Sequence, residues 1–372
     1  MSRHDFEIPV VFHHRVLFTR RAFAPDNRAV AELLLAGGGR KAVVVIEDAV
    51  AAAWPELAAD IAVYFGGLKV ALSGTYRFPG GEEVKADDSL TGQLWQCIDR
   101  HHLDRHSYVL AVGGGAFLDV AGFAAATAHR GVRLLRFPTT TLSQADSGVG
   151  VKCGINCFGK KNWVGSFAVP FAVVNDFDFL SSQTPEVNRT GLIEAVKVAL
   201  VKDRSFFEWI EQHLDQLRAL EPETVAACVE RSALLHARHI ATGGDPFETG
   251  SSRPLDFGHW AAHKLESLTK YALSHGAAVA VGLALDTLFS VECGMLAAAT
   301  GRRVTAVLRG LGLGTYHPAL DWKDAAGRRL VMAGLDEFRE HLGGTLTVLL
   351  LRDIGVGENV HRIDPELMAR CI

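Results

Sequence analysis

The residues best able to perform chemistry are three groups of polar side chains set in apolar, helix-forming sequence. The peptide TGLIEAVKVAL places Glu194 and Lys197 three residues apart, on one face of a helix. His259 and His263 follow in PLDFGHWAAHKLE, and His275 precedes an apolar helix in SHGAAVAVG. One carboxylate with two or three imidazoles suits a catalytic divalent metal, typically zinc with an open coordination position. Because the chain has 16 histidines, each of these alone could equally be an ordinary imidazole.

A run of three glycines forms a second candidate site. Residues 108–112 have the pattern of a buried strand, glycines occupy 113–115, and a helix of small residues is predicted over 117–128. A strand that leads through glycines into a helix N-terminus offers free N–H groups and a positive dipole end to a phosphate. Asp119, in the first turn of the helix, could cap these N–H groups or accept a ribose hydroxyl. A turn that binds no ligand would have the same pattern.

The segment after this helix is polar and rich in turn residues. Its charged and amide side chains are Arg130, Asp146, Lys152, Lys160, Lys161 and Asn162. Long polar segments in compact domains are usually functional or disordered, and the interspersed apolar residues favour an ordered loop over disorder. Cations beside a phosphate cradle predict an anionic ligand in addition to a dinucleotide. The alternative is a solvated basic loop.

The composition is that of a globular protein with two domains of ordinary size. The chain has 372 residues, of which 48% are hydrophobic and 22% charged, with a net charge of −4. This charge gives no reason to expect a nucleic-acid or membrane partner. Six scattered cysteines without metal-site spacing favour reduced thiols. No signal peptide or membrane span is recognisable, so we expect a cytoplasmic protein.

Strands and helices alternate in the first half of the chain. Strands are predicted over 6–18, 41–46, 68–72, 108–112 and 168–174, and helices over 49–63, 89–102 and 117–128. This order predicts an α/β domain with a doubly wound, mostly parallel sheet and a ligand at the carboxyl ends of the strands. An acid after the strand 41–46 could bind ribose hydroxyls, and both Glu47 and Asp48 qualify. We take Asp48 as the candidate, although it could equally cap the next helix.

After Asp176 the strand pattern gives way to successive helices. These are predicted over 188–201, 205–220, 223–242, 259–268, 277–298 and 304–311. A late apolar run, 345–351, could form an edge strand. We therefore predict an α/β domain over residues 1–176 and an all-α domain over residues 177–372.

Several sequence blocks occur together that are typical of one enzyme family. They are PGGExxK, GGGxxxDxxGFxAA, PTTxLxQxDSxVGxK, GKKNxxGxF and GxxEAVK. In this combination the chain resembles the 3-dehydroquinate synthase superfamily, the sugar phosphate cyclases, over most of its length. The resemblance implies an NAD-binding function for residues 1–176 and a metal- and substrate-binding function for residues 177–372.

The resemblance also implies a reaction. Sugar phosphate cyclases convert a seven-carbon sugar phosphate into a carbocycle. NAD oxidises a ring hydroxyl to a ketone, phosphate leaves by elimination, the NADH reduces the ketone, and an intramolecular aldol addition closes the new ring. NAD is therefore recycled. The implied cofactors are NAD and Zn²⁺ or Co²⁺, and the implied assembly is a homodimer.

Matching the blocks residue by residue assigns candidate roles. The metal ligands are Glu194, His259 and His275. The cofactor-binding candidates are Asp48, Glu82, Lys85, Gly114, Gly115, Asp119, Thr139, Thr140 and Lys161. The substrate-binding candidates are Arg130, Asp146, Lys152, Asn162, Lys197, Arg238 and Asp256. The catalytic candidates are Lys152, Lys197, Glu248 and His263. The last two could relay protons, or could be an ordinary loop acid and a helix-face histidine.

The chain departs from 3-dehydroquinate synthases where those enzymes hold a substrate carboxylate. Asp256 replaces an asparagine, Ser252 replaces an arginine, and Arg238 stands where a lysine is expected. Asp256 would place like charges together. We therefore favour sedoheptulose 7-phosphate, the substrate of the 2-epi-5-epi-valiolone synthase type. His263 is retained as in 3-dehydroquinate synthases, which are the alternative. A metal-dependent dehydrogenase of the glycerol dehydrogenase type is a further alternative, which the basic segment disfavours.

Overall fold

The computed structural model describes residues 2–158, 160–249, 255–341 and 344–372. The chain forms two compact units. The first comprises Met1–Phe137 and Val151–Asn175, and the second comprises Pro138–Gly150 and Asp176–Ile372. No helix in the described ranges has the length and apolarity that crossing a membrane requires.

The first unit is an α/β unit. Its elements are β1 (Val16–Thr19), α1 (Ala29–Gly37), β2 (Lys41–Glu47), α2 (Asp48–Ala53), α3 (Leu57–Gly66), β3 (Ala71–Phe78), α4 (Asp88–Arg100), β4 (Tyr108–Gly113), α5 (Gly115–Thr127), β5 (Arg133–Pro138), β6 (Lys152–Cys157), β7 (Lys160–Phe167) and β8 (Ala172–Asp176). Six strands form one sheet in the order β1-β8-β5-β4-β2-β3. Strand β2 runs parallel to β3 and β4, and β5 runs parallel to β8. The predicted mostly parallel sheet is confirmed.

The strand order creates a topological switch point between β2 and β4. From β2 the chain moves outward to β3, and then crosses to β4 on the other side of β2. All six residues of β4 are buried, and the small side chains of α5 let this helix pack closely on the sheet. Ligands of doubly wound sheets bind beyond the carboxyl ends of the strands at such a point. The glycine run follows β4 at this position.

Several predicted elements of the first unit differ from those observed. The helix predicted over 49–63 is two helices, α2 and α3, because Pro55 disfavours helical geometry at Trp54. Of the strand predicted over 6–18, only β1 forms. The strands predicted over 68–72 and 168–174 begin later, at Ala71 and Ala172.

The polar segment contains regular structure that we did not predict. Strands β6 and β7 form an antiparallel hairpin where we expected a loop. Residues of β6 such as Cys153 and Ile155 are buried, whereas β7 is mostly exposed, so only one strand carries an apolar signal. Strand β5 was also missed, because arginines interrupt its apolar pattern. Arg136 is nevertheless buried, and its Nη2 donates to the carbonyl of Lys152 at 3.0 Å.

The second unit is mainly helical, as predicted. Its elements are α6 (Pro185–Gly191), α7 (Ile193–Lys202), α8 (Arg204–Gln212), α9 (Leu214–Arg218), α10 (Pro222–Thr242), α11 (His259–Leu268), α12 (His275–Glu292), α13 (Ala298–Gly310), α14 (Ala333–His341), β9 (Val348–Asp353), β10 (Val356–Val360) and α15 (Pro365–Cys371). The late apolar run forms β9, which pairs with β10 in an antiparallel hairpin. The helix predicted over 188–201 is divided at Leu192, and that over 205–220 at His213.

Residues Pro138–Gly150 group with the second unit, although we predicted a boundary near residue 176. They contain a π-helical turn, Ser143–Ser147, which packs against α10 and α7. Ser232 Oγ on α10 donates to the carbonyl of Ala145 at 3.0 Å. The helices that the turn packs against, α7 and α10, lie far along the chain. The sequence near the turn therefore gave no indication that it groups with the second unit.

Candidate functional site

Helix α7 places a carboxylate and an ammonium group in the core of the second unit. The side chains of Glu194 and Lys197 are 1% and 2% exposed, and Lys197 Nζ lies 2.5 Å from Glu194 Oε2. Burial alone would raise the pKa of Glu194, but the Lys197 ammonium group holds that pKa below its ordinary value. Burial would likewise lower the pKa of Lys197, yet Asp146 and Glu194 raise it. Both groups are therefore charged.

Two imidazoles converge on Glu194. His259 begins α11 and His275 begins α12, so both helices present a histidine from their first turn. The Nε2 atoms of His275 and His259 lie 3.4 and 3.9 Å from Glu194 Oε1. One ligand atom from each of the three residues lies within 4.8 Å of the others. Ligand atoms of a tetrahedral zinc ion are separated by about 3.4 Å, so small adjustments would complete such a site.

The outer nitrogens of both imidazoles have partners that orient the rings. His275 Nδ1 lies 3.2 Å from Oε2 of the buried Glu266, and His259 Nδ1 lies 3.1 Å from the carbonyl oxygen of Phe257. A proton on each Nδ1 leaves the Nε2 lone pair directed at Glu194, which is the outer-shell arrangement of metal-binding histidines. Burial lowers the pKa of His259, as does Lys197. The neutral imidazole that a metal requires is thus favoured.

The charge distribution of this cluster fits a divalent cation. Both oxygens of the Glu194 carboxylate are buried, with Oε2 against Lys197 Nζ and Oε1 against the two imidazoles. Buried polar atoms are almost always paired. An anionic oxygen facing two imidazole lone pairs would be repelled by them unless a cation lay between. Glu194, His259 and His275, the three predicted ligands, therefore fit Zn²⁺ or Co²⁺.

A chain of charged groups extends from this cluster. Asp146, in the π-helical turn, has Oδ2 3.1 Å from Lys197 Nζ and Oδ1 2.6 Å from His236 Nδ1. Burial would raise the pKa of Asp146, but Lys197 and His236 hold it well below its ordinary value. The sequence of groups His236, Asp146, Lys197 and Glu194 thus connects α10 to the metal ligands.

His236 was missed at the sequence level, where Arg238 was assigned on α10. Residues two apart on a helix point about 200° apart, so both cannot face Asp146. Arg238 is exposed, and His236 makes the contact. A signal was present, because His236 continues the buried stripe of Val229, Ser232 and Ala233. Arg238 remains a predicted substrate-binding residue.

The remaining candidates of the second unit lie on α11, just before α11 and in the turn after α10. His263 is exposed on α11, and its ring centroid lies 5.4 Å from that of His259. Asp256 precedes α11, and its charge adds to the raised pKa of Lys197 and partly opposes the lowering of the pKa of His259 by burial. Glu248 lies in the turn after α10, with a left-handed φ of 48°. Ser252 and its neighbour Arg253 lie outside the described residues.

In the first unit, the glycine run forms a tight turn between β4 and α5. Gly114 is extended, with φ −73° and ψ 172°, and α5 begins at Gly115. A Cβ on Gly113 would lie 2.5 Å from the ring of Phe117 and 2.8 Å from Glu47 Oε2. Only glycine fits there. The N–H groups of the first turn of α5 have no acceptor within the helix, so the anion site predicted here remains a prediction.

Glu47, rather than Asp48, lies against this turn. Glu47 Oε2 accepts a hydrogen bond from the Gly114 N–H at 2.6 Å. Asp48 begins α2 and pairs with Arg77 at 3.1 Å, and the side chains of this pair are 50% and 59% exposed. Of the two acids that the sequence left open, Glu47 is therefore the one that lies at the glycine turn.

Four other cofactor candidates form two adjacent ion pairs in the first unit. Lys85 Nζ lies 2.5 Å from Asp119 Oδ2, and the Lys85 side chain is only 4% exposed. Lys161 Nζ lies 3.3 Å from Glu82 Oε1. The short 3₁₀ helix Glu82–Ala86 carries both PGGExxK residues and packs against α5 and β6. The sequence-distant blocks are thus brought together as expected.

The other candidates lie at further positions in each unit. Lys152 is exposed at the start of β6, and Asn162 is exposed on β7 with a φ of 53°. Arg130 lies beyond the C-terminal end of α5, about 20 Å along the helix from the glycine turn. It is exposed, with a φ of 62°, and is not brought to that turn. Thr139 and Thr140 lie in the second unit.

Comparison with known proteins gives a consistent family. Two family models match the chain: 3-dehydroquinate synthase N-terminal over residues 75–189, and 3-dehydroquinate synthase C-terminal over residues 191–330. A 3-dehydroquinate synthase of Halorhodospira halophila (strain DSM 244 / SL1) is 37% identical over 277 residues, which are 74% of this chain and 76% of that protein.

Solved structures of similar fold include two cyclases. The 2-epi-5-epi-valiolone synthase of Streptomyces hygroscopicus subsp. jinggangensis 5008, with NAD⁺ and Zn²⁺ bound, has a TM-score of 0.87 at 26% identity, covering 99% of this chain and 98% of that one. A 2-deoxy-scyllo-inosose synthase complexed with carbaglucose-6-phosphate, NAD⁺ and Co²⁺ has a TM-score of 0.78 at 22% identity, covering 96% and 95%; this second likeness concerns the fold alone. The chain belongs to the 3-dehydroquinate synthase family, within the sugar phosphate cyclase superfamily.

Proposed function

We propose that this protein is an NAD- and metal-dependent sugar phosphate cyclase that eliminates phosphate from a seven-carbon sugar phosphate and closes a carbocycle. The observation that carries the proposal is the cluster of the buried Glu194 and His259 with the half-buried His275, joined through Lys197 to Asp146. The relatives named 3-dehydroquinate synthase support 3-dehydroquinate formation as the leading reaction. A homodimer in the cytoplasm remains a prediction from the sequence.

The second unit supplies groups for the charges that this chemistry develops. When bound, NAD would accept and return a hydride, and Zn²⁺ or Co²⁺ would act as a Lewis acid. Lys197 is held protonated between two carboxylates, so it donates hydrogen bonds and does not act as a base. Asp146 is held ionised and accepts them. His236, with Nδ1 at Asp146, can hold or move a proton at Nε2.

The first unit supplies the proposed NAD site. The N–H groups at the start of α5 and the dipole of that helix would bind the pyrophosphate. Glu47, whose carboxylate lies beside Gly114, would accept ribose hydroxyls. The ion pairs of Lys85 with Asp119 and of Lys161 with Glu82 stiffen the adjacent segment. Glu248, His263 and the phosphate-directed Lys152 and Asn162 remain proposed site residues.

Sedoheptulose 7-phosphate is the second candidate substrate, and Asp256 is the observation that favours it. The Asp256 carboxylate acts on both Lys197 and His259, so a substrate carboxylate placed nearby would meet a like charge. The similarity to a 2-epi-5-epi-valiolone synthase over 99% of the chain also supports a substrate without a carboxylate.

Phosphate release separates these functions. The metal-loaded protein is incubated with NAD and, in separate reactions, a heptulosonate 7-phosphate or sedoheptulose 7-phosphate. Inorganic phosphate and product mass are then measured. A cyclase releases phosphate from one of them without net NADH. Net NADH formation from simple alcohols, with no phosphate released, would instead establish the dehydrogenase alternative.

A charge substitution tests the substrate argument. We expect Asp256→Asn to improve kcat/KM for the carboxylated substrate relative to sedoheptulose 7-phosphate by about 10-fold, because a repulsion at close range is removed. Asp336→Asn is a matched control, because Asp336 is 71% exposed and pairs only with a surface arginine in the described structure. An unchanged preference in Asp256→Asn would remove the argument for a neutral substrate.

A further inference from the structure

Asp286, a buried acid on α12, has no role in the site described above. Its side chain is fully buried, and it forms no ion pair with any residue that the structure describes. Burial raises the pKa of Asp286 to about 7. An isolated carboxyl group in a core is expensive unless its oxygens are used. Both oxygens are used here: Oδ2 accepts from the Gly258 N–H at 3.0 Å, and Oδ1 accepts from Trp260 Nε1 at 2.9 Å.

These two donors flank the metal ligand His259. The Gly258 N–H belongs to the same peptide unit as the Phe257 carbonyl, which accepts the hydrogen bond from His259 Nδ1 at 3.1 Å. A trans peptide is planar, so its N–H and C=O point in opposite directions and cannot turn independently. The acceptor that orients the His259 ring is therefore oriented by Asp286.

Glycine makes this contact possible. Gly258 has a left-handed φ of 77°, and a Cβ there would lie 2.6 Å from the backbone nitrogen of Leu283. A Cβ on Gly282 would lie 2.0 Å from the Gly258 carbonyl oxygen. The loop before α11 thus lies directly on the backbone of α12. Asp286 lies one turn further along α12. Its carboxylate accepts the hydrogen bond from the Gly258 N–H.

We propose that Asp286 is a positioning residue for the metal site, and that it acts through the Phe257–Gly258 peptide to set the ring orientation and tautomer of His259. Trp260 has the supporting role of fixing the carboxylate of Asp286. The inference rests on the proposed metal site but is independent of the substrate. Outer-shell partners of this kind alter metal affinity by about 10- to 100-fold.

The test measures metal binding in the absence of NAD and substrate. Metal-free protein is titrated with Co²⁺, whose visible absorption reports ligand geometry, and Zn²⁺ affinity is measured by competition with a chelator. We expect Asp286→Asn to weaken Zn²⁺ binding by about 10- to 100-fold and to alter the Co²⁺ spectrum. The reason is that the asparagine amide has one acceptor oxygen and one donor NH₂ group. The Gly258 N–H and the Trp260 indole N–H both need an acceptor.

A second substitution supplies a rescue. Trp260→Phe removes the indole N–H donor. In the double variant Asp286→Asn/Trp260→Phe, the amide oxygen can therefore accept from the Gly258 N–H, and the amide NH₂ no longer faces an indole N–H. We expect this double variant to recover part of the lost Zn²⁺ affinity. Trp260→Phe alone should weaken affinity less than Asp286→Asn, because the Gly258 N–H keeps its acceptor.

Ser290→Ala is the matched control. Ser290 is buried one turn further along α12, and its hydroxyl bonds the backbone carbonyl of Asp286 and the Leu351 N–H rather than the loop of His259. We expect it to lower the Tm of the metal-free protein while the Zn²⁺ affinity and the Co²⁺ spectrum stay the same. A folded Asp286→Asn protein with wild-type Zn²⁺ affinity and Co²⁺ spectrum would overturn the proposal.

Failure of Asp286→Asn to fold and failure of the wild-type protein to release phosphate have different consequences. If Asp286→Asn does not fold, Trp260→Phe decides, and an unchanged Zn²⁺ affinity there overturns the proposal. A wild-type protein that binds Zn²⁺ as expected but releases no phosphate from any heptulose phosphate would refute the proposed function while leaving this inference intact.

Discussion

The candidate site of the first unit is made of backbone, whereas that of the second unit is made of side chains. At the glycine turn, the ligand-facing groups are N–H groups of consecutive residues between β4 and α5. In the second unit, a carboxylate from α7 faces imidazoles from α11 and α12, and further charges come from α10 and the turn Ser143–Ser147. The first site needs little besides the absence of Cβ atoms. The second needs several distant elements to pack correctly around buried charge.

This difference predicts different sensitivities. A backbone site fails when a side chain is added, and it should tolerate the loss of most side chains around it. A side-chain site fails when a single charged group is removed, because the remaining charges are buried and lose their partner. A substitution in the first unit can therefore be tested by NADH binding, and a substitution in the second unit by Zn²⁺ binding.

The largest effect is expected at Glu194. Glu194→Ala should reduce phosphate release by about 10³-fold and weaken Zn²⁺ binding, because it removes the only anionic ligand of the predicted set. Phosphate release and chelator competition are the measurements, with circular dichroism to verify folding. Glu337→Gln is the control, since Glu337 is 59% exposed. Turnover at the wild-type rate in Glu194→Ala would show that the metal assignment is wrong.

A smaller effect is expected from adding a side chain to the glycine turn. Gly113→Val should weaken NADH binding by about 10²-fold, because its side chain would collide with Phe117 and Glu47. NADH fluorescence titration measures this affinity, and Zn²⁺ affinity should not change. Gly92→Ala is the control, because a Cβ on Gly92 has no atom within 4 Å. If Gly113→Val bound NADH normally, the turn would not be the NAD site.

The smallest of these effects is expected at His236. His236→Ala should lower kcat/KM for phosphate release by roughly 10-fold, since the contact of the His236 imidazole with the charged Asp146 is lost. Arg238→Ala should have less effect. A greater loss in Arg238→Ala than in His236→Ala would contradict the proposed role of His236.

The predictions that were confirmed concern features confined to one or two turns of the chain. The buried strand β4, the glycine run and the start of α5 are adjacent in sequence, so hydrophobic pattern and glycine content suffice to recognise them. Glu194 and Lys197 share a helix face because of their spacing alone. The hairpin of β6 and β7 was missed because its exposed strand carries no apolar alternation, and β5 was missed because Arg136 is buried where an apolar residue was expected.

By itself, the sequence determined which local units form and which candidate groups they carry: an α/β half with a glycine turn at a helix N-terminus, and a helical half with one acid and several histidines. Only the tertiary structure decided which of these side chains meet. It brought Glu47 rather than Asp48 to the glycine turn, brought His236 to Asp146, placed Asp286 behind His259, and grouped Pro138–Gly150 with the second unit. The physical reason is that the local hydrophobic pattern specifies which face of a helix or strand is buried. Which side chains meet that face depends on how helices distant in sequence pack.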